Sequence, residues 1–271
     1  MMIYKLLAVD MDGTLLTSEK KISPATFNKL AELSRRGVYV VVSTGRGLAE
    51  LAEYQDATNL MKYGILISGS IVYDFINRKP LTVYRVADEV IDKIIDAGLA
   101  EGAMIHLITV DKSIAAERDI SRMENFHMAI YKSMFDKICV RCDDFKKYVR
   151  ENPGDVIKVN LYHTSLESRN RNVERLKNFD LNLTFAENFN LEATPKNISK
   201  GSGLIELCKV LNIGVDECVA IGDGFNDIEI LQTAGIGAVM GNASDEIKKI
   251  ADYVTDDNDH DGIVKVAEKF F

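Results

Sequence analysis

The sequence predicts an α/β protein built on a doubly wound parallel sheet, with a separate α+β domain inserted into it. Three observations lead there. Between residues 5 and 68, short apolar runs alternate with helix-like segments. Continuously apolar runs are what parallel strands buried on both faces require. The rhythm breaks between about Ala87 and Thr194, and after Pro195 it resumes.

The elements follow in order. Lys5–Val9 is an apolar run that ends on Asp10. Ser23–Arg36 has apolar residues at helical spacing, with Ser23 as N-cap, Pro24 at the first helical position and Gly37 as the stop. Val38–Val42 is β-branched and too apolar for an exposed strand, Leu48–Ala57 reads as helix, and Ile65–Ser68 as a third strand. This βαβαβ pattern implies a parallel sheet with helices on both faces. Ile71–Asp74 and Leu81–Arg85 flank Asn77-Arg78-Lys79-Pro80 and read as a hairpin.

Within the insert, Asp88–Glu101 is a helix, and Met104–Thr109 and Ser113–Ala116 are strands. Ser121–Arg150 carries no clear period. Val156–Tyr162 reads as strand, Ser165–Asn178 as helix, and Leu181–Glu187 and Asn190–Ala193 as strands, which suggests an antiparallel sheet. The returning rhythm comprises helix Lys200–Leu211, strand Cys218–Ile221, helix Asp227–Thr233, strand Ile236–Val239, helix Ser244–Ala251 and strand Tyr253–Thr255. The expected organisation is a Rossmann-like core of residues 1–85 and 195–271 around an α+β insert of residues 86–194.

Bulk properties narrow the function. Lys and Arg number 33 against 41 Asp and Glu, a formal net charge of -8. That balance argues against broad contact with nucleic acid or an anionic membrane, while leaving room for a local basic pocket for one phosphate. No apolar run is long enough to span a bilayer. The N-terminal apolar stretch is too short for a signal peptide and is cut by Asp10. Four Cys in 271 residues do not suggest a disulfide scaffold. A cytoplasmic monomer is the expectation.

Chemistry concentrates at strand ends. Asp10-Met11-Asp12-Gly13-Thr14-Leu15 directly follows the first strand, and ligands of open parallel sheets bind outside the carboxyl ends of strands. Two carboxylates this close repel unless a cation or proton lies between them, and a hard divalent cation such as Mg²⁺ suits oxygen ligands. Gly222-Asp223-Gly224-Phe225-Asn226-Asp227 ends another apolar strand and offers Asp223 and Asp227 to the same cation. Each segment alone also reads as an ordinary Asp-Gly turn; two such clusters, each ending an apolar strand, make coincidence the weaker account. Ser43-Thr44-Gly45-Arg46 ends the second strand with a hydroxyl and backbone N–H groups suited to a phosphate oxygen, or to helix capping. Lys200 stands at a helix start, where a lone Lys is ordinarily a solvated charge.

In this order, the four segments resemble the four motifs of the haloacid dehalogenase superfamily. Asp10–Leu15 matches the first, Thr44 of Thr44-Gly45-Arg46 the second, Lys200 of Ser199-Lys200-Gly201 the third, and Gly222–Asp227 the fourth. The insert resembles the cap of the Cof-type (type IIB) sugar-phosphatase branch, so the resemblance covers the whole chain. One departure is Ser68-Gly69, where that branch often carries Asn-Gly. The resemblance implies a Mg²⁺-dependent phosphatase acting on a small phosphorylated metabolite through an aspartyl-phosphate. Asp10 would be nucleophile and metal ligand. Asp12 would be the acid/base, with its backbone carbonyl on the metal. Thr44, Gly45, Lys200 and Asn226 would hold phosphate or substrate, Asp223 would ligate the metal, and Asp227 would support it. Hexose and other sugar phosphates, flavin mononucleotide and pyridoxal phosphate all fit that class. The cap would select the substrate, with hinges near Tyr84–Ala87 and Ala193–Pro195. A phosphomutase would use the same aspartyl-phosphate; a non-catalytic binding module would be expected to lack Asp10 or Asp12.

Other features point elsewhere. Cys139-Val140-Arg141-Cys142 is a lone CxxC without further ligands, short of a structural zinc site. Cys208 and Cys218 lie in apolar segments and read as core. His106, His127 and His163 are scattered through the insert and read as structural, and His260 sits among acids in a loop. No dinucleotide fingerprint, Walker loop, GxSxG or HExxH occurs.

Overall fold

The computed structural model describes residues 4–185 and 187–271. Leu6–Val9 (β1) is buried at every position. Pro24–Arg35 (α1) begins where the Ser23 hydroxyl accepts from the Thr26 N–H, with proline in the first turn. Tyr39–Ser43 (β2) leads through a 3₁₀ segment, Ala49–Tyr54, to Gln55–Leu60 (α2). Tyr63–Leu66 (β3), Ile71–Asp74 (β4) and Lys79–Val83 (β5) follow. Next come Asp88–Ala100 (α3), Met104–Ile108 (β6), Ser113–Ala115 (β7), Glu117–Ile120 (α4), Lys132–Ile138 (α5), Cys139–Arg141 (β8) and Phe145–Glu151 (α6). Lys158–Tyr162 (β9), Leu166–Leu176 (α7), Leu181–Thr184 (β10) and Asn190–Pro195 (β11) complete that stretch. The chain closes with Lys200–Leu211 (α8), Cys218–Gly222 (β12), Ile228–Thr233 (α9), Ile236–Val239 (β13), Asp245–Lys248 (α10), Tyr253–Val254 (β14) and Gly262–Phe270 (α11).

The chain forms two compact units. The first comprises Met1–Gly45, Tyr54–Thr82 and Ser199–Phe271; the second comprises Arg46–Glu53 and Val83–Ile198. Arg46–Glu53, placed with the core on sequence, thus groups with the second unit, where Lys137 pairs with Glu53 at 2.6 Å.

The first unit carries a sheet in the order β14-β13-β12-β1-β2-β3-β4-β5, parallel from β14 to β3 and antiparallel at β4. The chain winds outward through β2 and β3 on one side of β1, and through β13 and β14 on the other side of β12. The reversal lies between β1 and β12, and a crevice opens beyond the carboxyl ends of strands at such a switch point. Leu6 and Ala8 join a cluster with Leu204 and Leu207 of α8 and Ile230 and Leu231 of α9. By strand alternation, Leu7 and Val9 face the other way. α1 packs against β2 and α11.

The second unit is built on a sheet in the order β10-β11-β9-β6-β7-β8. Ile105, Leu107, Val159, Leu161 and Leu191 pack with Ile91, Ile94 and Ile95 of α3, Phe145 of α6 and Leu176 of α7. Residues of alternate register are polar yet buried: His106, Lys158, Asn160 and Glu192, with a Lys158–Glu192 ion pair at 2.6 Å. β8 pairs with β7 in parallel, a departure from the antiparallel sheet expected.

Several boundaries shift for local reasons. β3 ends at Leu66 rather than Ser68, because Ile67 and Ser68 take φ of +51° and +54° and turn the chain out of the sheet. The β4–β5 turn lies at residues 75–78, not at Asn77–Pro80: one Asp74 oxygen accepts from the N–H groups of Ile76 and Asn77, and Arg78 is left-handed. Lys79 and Pro80 therefore already belong to β5, at the sheet edge where proline is tolerated. The expected strand Leu181–Glu187 stops at Thr184, and Ala186 lies outside the described residues. Ser121–Arg150 resolves into short helical turns, α5, β8 and α6. The C-terminal helix α11 was not anticipated. Among the described residues, no helix is long and apolar enough to cross a membrane.

Candidate active site

The switch point collects most of the acidic residues singled out from the sequence. β1 and β12 run in parallel register, Val9 opposite Ile221, so Asp10 and Asp223 leave neighbouring strand ends. The Asp10 N–H still donates to the Ile221 carbonyl at 3.0 Å. The chain then turns at Gly13, φ +79°. A Cβ there would collide with the Asp223 carboxylate, so both backbone conformation and close approach require glycine. The Thr14 hydroxyl donates to Asp223 Oδ1 at 2.9 Å and ties this loop to the acid across the crevice.

Lys200 enters from the start of α8. Its helix is capped reciprocally, the Ser199 hydroxyl accepting from the Ser202 N–H while the Ser202 hydroxyl accepts from the Ser199 N–H. The Lys200 ammonium is fully buried and donates to Asp10 Oδ1 and Asp227 Oδ1, each at 2.6 Å. Asp227 Oδ2 accepts from the N–H groups of Asp223 and Gly224 at 3.1 and 2.9 Å. Asp227 therefore grips its own loop with one oxygen and fixes the lysine with the other.

Thr44 lies just past β2, the neighbour of β1, and is buried. Its N–H donates to Ile65 O at 2.8 Å, and its carbonyl accepts from the Ser68 N–H at 3.0 Å. The turn at Ser68-Gly69 thus braces Thr44. Gly69, φ +96°, also lies so close to the Ser199 carbonyl that a Cβ would collide with it. Gly45 and Asn226 are half-buried, with Asn226 beside Gly224. Asp12 lies close enough to act electrostatically on Asp223, while its carboxylate pairs with Lys20 at 2.9 Å and is about one-third exposed.

Carboxylate oxygens of Asp10, Asp223 and Asp227 all lie within 4.8 Å of one another. Three carboxylates against the single Lys200 ammonium leave an excess of two negative charges when all are ionised. Burial, then Asp227, pushes Asp10 well above the usual carboxylate range, against the pull of Lys200. Burial and Asp227 likewise push Asp223 up to about 6, against the Thr14 hydrogen bond. Burial disfavours the Lys200 ammonium, but Asp10 and Asp227 outweigh it and hold its pKa above the ordinary lysine value. An all-oxygen donor set with two uncompensated charges fits a hard divalent cation.

Two participants were missed on sequence. Thr14 sat inside a motif but was given no role. Asn242 donates through Nδ2 to the Gly13 carbonyl at 2.9 Å and to Asp223 Oδ2 at 3.1 Å. It follows β13 at the same end of the sheet, so the strand-end rule that selected Asp10 and Asp223 would have found it. The CxxC lies in the second unit, where burial raises both thiols, Cys139 to about 12. His163 lies between the Phe189 carbonyl and Asn172, and His127 stacks on Phe189. His260 pairs with Asp257 at the surface.

A family model described as haloacid dehalogenase-like hydrolase matches residues 7–266. The 5-amino-6-(5-phospho-D-ribitylamino)uracil phosphatase of Bacillus subtilis is 30% identical over 262 residues, spanning 96% of this chain and 93% of that protein. The solved structure of a haloacid dehalogenase-like hydrolase from B. subtilis matches with a TM-score of 0.89 at 26% identity, covering 98% of this chain and all of that one. A subclass IIB sugar phosphatase of known structure shares the fold, with a TM-score of 0.83, 23% identity and 98% coverage of each chain.

Proposed function

The chain belongs to the haloacid dehalogenase-like hydrolase family and is a phosphatase, and from that premise we propose that it hydrolyses small phosphorylated metabolites, sugar phosphates or compounds of similar polarity, through a phosphoryl group carried on Asp10. The observation that carries this reading is the buried Lys200 ammonium between Asp10 and Asp227, with Asp223 facing them at the switch point. A carboxylate held by a fixed cation, beside a cluster short of positive charge, is poised to receive a phosphoryl group.

Asp10, Asp223 and the backbone carbonyl of Asp12 would hold Mg²⁺, which when bound offsets charge on the phosphoryl oxygens. An Asp10 oxygen attacks phosphorus as the ester P–O bond breaks, and Asp12 gives its proton to the leaving oxygen. Asp12 then takes a proton from a water whose oxygen attacks the same phosphorus. The bond to Asp10 breaks, inorganic phosphate departs and Asp10 is restored. A positioned acid/base of this kind contributes about 10²–10⁴-fold. Thr44, Gly45, Lys200 and Asn226 hold the phosphoryl group. Asp10 and Asp223 titrate with their neighbours as one set. The substrate class draws support from the ribitylaminouracil phosphatase relative and the sugar-phosphatase likeness.

The test is phosphate release from a panel of phosphorylated metabolites, with and without Mg²⁺, for the parent and for Asp10→Asn. The expected result is Mg²⁺-dependent turnover that the substitution abolishes. A folded, Mg²⁺-loaded parent that releases phosphate from no ester would sink the proposal, and so would an Asp10→Asn variant that turns over normally.

A further inference from the structure

We propose that Asn242 is a positioning residue for the divalent cation, its amide fixing the Asp223 carboxylate in the orientation the cation meets; this rests on the cation reading above.

Asp223 has two oxygens, and each is held by a different loop. Oδ1 accepts from the Thr14 hydroxyl at 2.9 Å and Oδ2 from Asn242 Nδ2 at 3.1 Å. The same Nδ2 donates to the Gly13 carbonyl at 2.9 Å, so one amino group spans the turn after β1 and the acid after β12. The amide can face only one way. Its Oδ1 accepts from the Asn258 N–H at 3.3 Å. A flip would set an oxygen against a carboxylate and a carbonyl and leave that N–H facing an NH₂ group. Asn258 is anchored in turn, its side chain donating to the Leu16 carbonyl at 2.8 Å. Loops after β1, β12, β13 and β14 are thereby linked through one side-chain amide. Gly13 itself has no side chain to support Asp223, and any Cβ there would displace it. Hydrogen bonds that orient a ligating carboxylate typically matter about 10–100-fold in metal affinity.

Mn²⁺ binding to chelator-treated protein, read by electron paramagnetic resonance with Mg²⁺ as competitor, tests this without reference to turnover. Asn242→Ala is expected to weaken Mn²⁺ binding by about 10–100-fold, and to raise the Mg²⁺ concentration giving half-maximal activity by a similar factor while kcat at saturating Mg²⁺ changes far less. Asp259→Ala separates positioning from loop tethering. It removes both bonds from Ser18 to the loop bearing Asn258, and should leave Mn²⁺ affinity within about twofold of the parent. If Asn242→Ala folds poorly, Asn242→Ser, compatible with a loop but too short to reach Asp223, gives the same reading. A folded Asn242 variant that binds Mn²⁺ as tightly as the parent overturns the proposal, as does an equal loss in Asp259→Ala. A parent chain that binds no Mn²⁺ overturns both this inference and the cation reading beneath it.

Discussion

His106 shows how much a single side chain can set the pH range of the molecule. It is fully buried in β6 beside Phe135, with ring centroids 4.8 Å apart, and among the described residues neither ring nitrogen has a hydrogen-bond partner. Burial, followed by the Lys158 charge, lowers its pKa from 6.5 to about 3. The unfolded chain therefore binds a proton in a range where the folded chain does not. Stability contributed by the neutral ring is complete above pH 6.5 and is lost as pH falls toward 3, at up to about 1.4 kcal/mol per pH unit. The Tm of the parent should fall more steeply than that of His106→Leu between pH 6.5 and 4; parallel curves would show that the ring is not the titrating group. Residues at the candidate site were readable for a different reason. Asp10, Asp223 and Lys200 add a charge to their place at the ends of strongly patterned elements, whereas Asn242, also just past a strand, is uncharged and belongs to no recognised spacing, and its contacts reach Gly13 from 229 positions away in the chain.

Among the elements, α8 and β13 occur at the bounds expected, since Ser199 caps the one and a continuous apolar run defines the other. The stretch from Ser121 to Arg150 could not be read that way. α5 has seven residues, β8 three and α6 seven, too short for any period to emerge. The turns and α5 are held by packing of Met123, Phe126, Met134 and Phe135 into one cluster, and α6 by Phe145 and Val149 in another. α11 was legible in principle: Ile263, Val266, Ala267 and Phe270 follow helical spacing. The start of α8 depends on the turn at Gly69, whose left-handed φ and contact with the Ser199 carbonyl leave no room for a side chain. Gly69→Ala should therefore shift Lys200 and lower kcat by at least tenfold, with a stability loss of about 1–3 kcal/mol. Urea unfolding alongside kinetics checks this, and wild-type kcat in the variant would show that Lys200 does not depend on the turn.

At the scale of the molecule, the chain passes between its two units four times, after Gly45, Glu53, Thr82 and Ile198. Sequence rhythm exposed the long excursion but not the short one, because eight residues alter no rhythm. Lys137–Glu53 and the Arg46 contact with Met134 belong to that short segment. Our hypothesis is that the second unit selects the substrate. Replacing residues 83–198 with the equivalent region of a relative should then change the ranking of phosphorylated metabolites while sparing a minimal phosphoester. A chimera that also exchanges residues 46–53 should have the higher Tm of the two. An unchanged substrate ranking in either folded chimera would assign selectivity to the first unit. The pairing of β1 with β12 has a consequence in time as well as in space. The ribosome releases Leu6 more than 200 residues before its partner Cys218, an interval of roughly 10–40 s at ordinary synthesis rates. Throughout it, one edge of the innermost, wholly apolar strand has no permanent neighbour, and Asp10 has no Asp223 across from it. Until the last fifth of these 271 residues emerges, the growing chain therefore carries an unpaired apolar strand edge, the kind of surface that templates pairing with other chains.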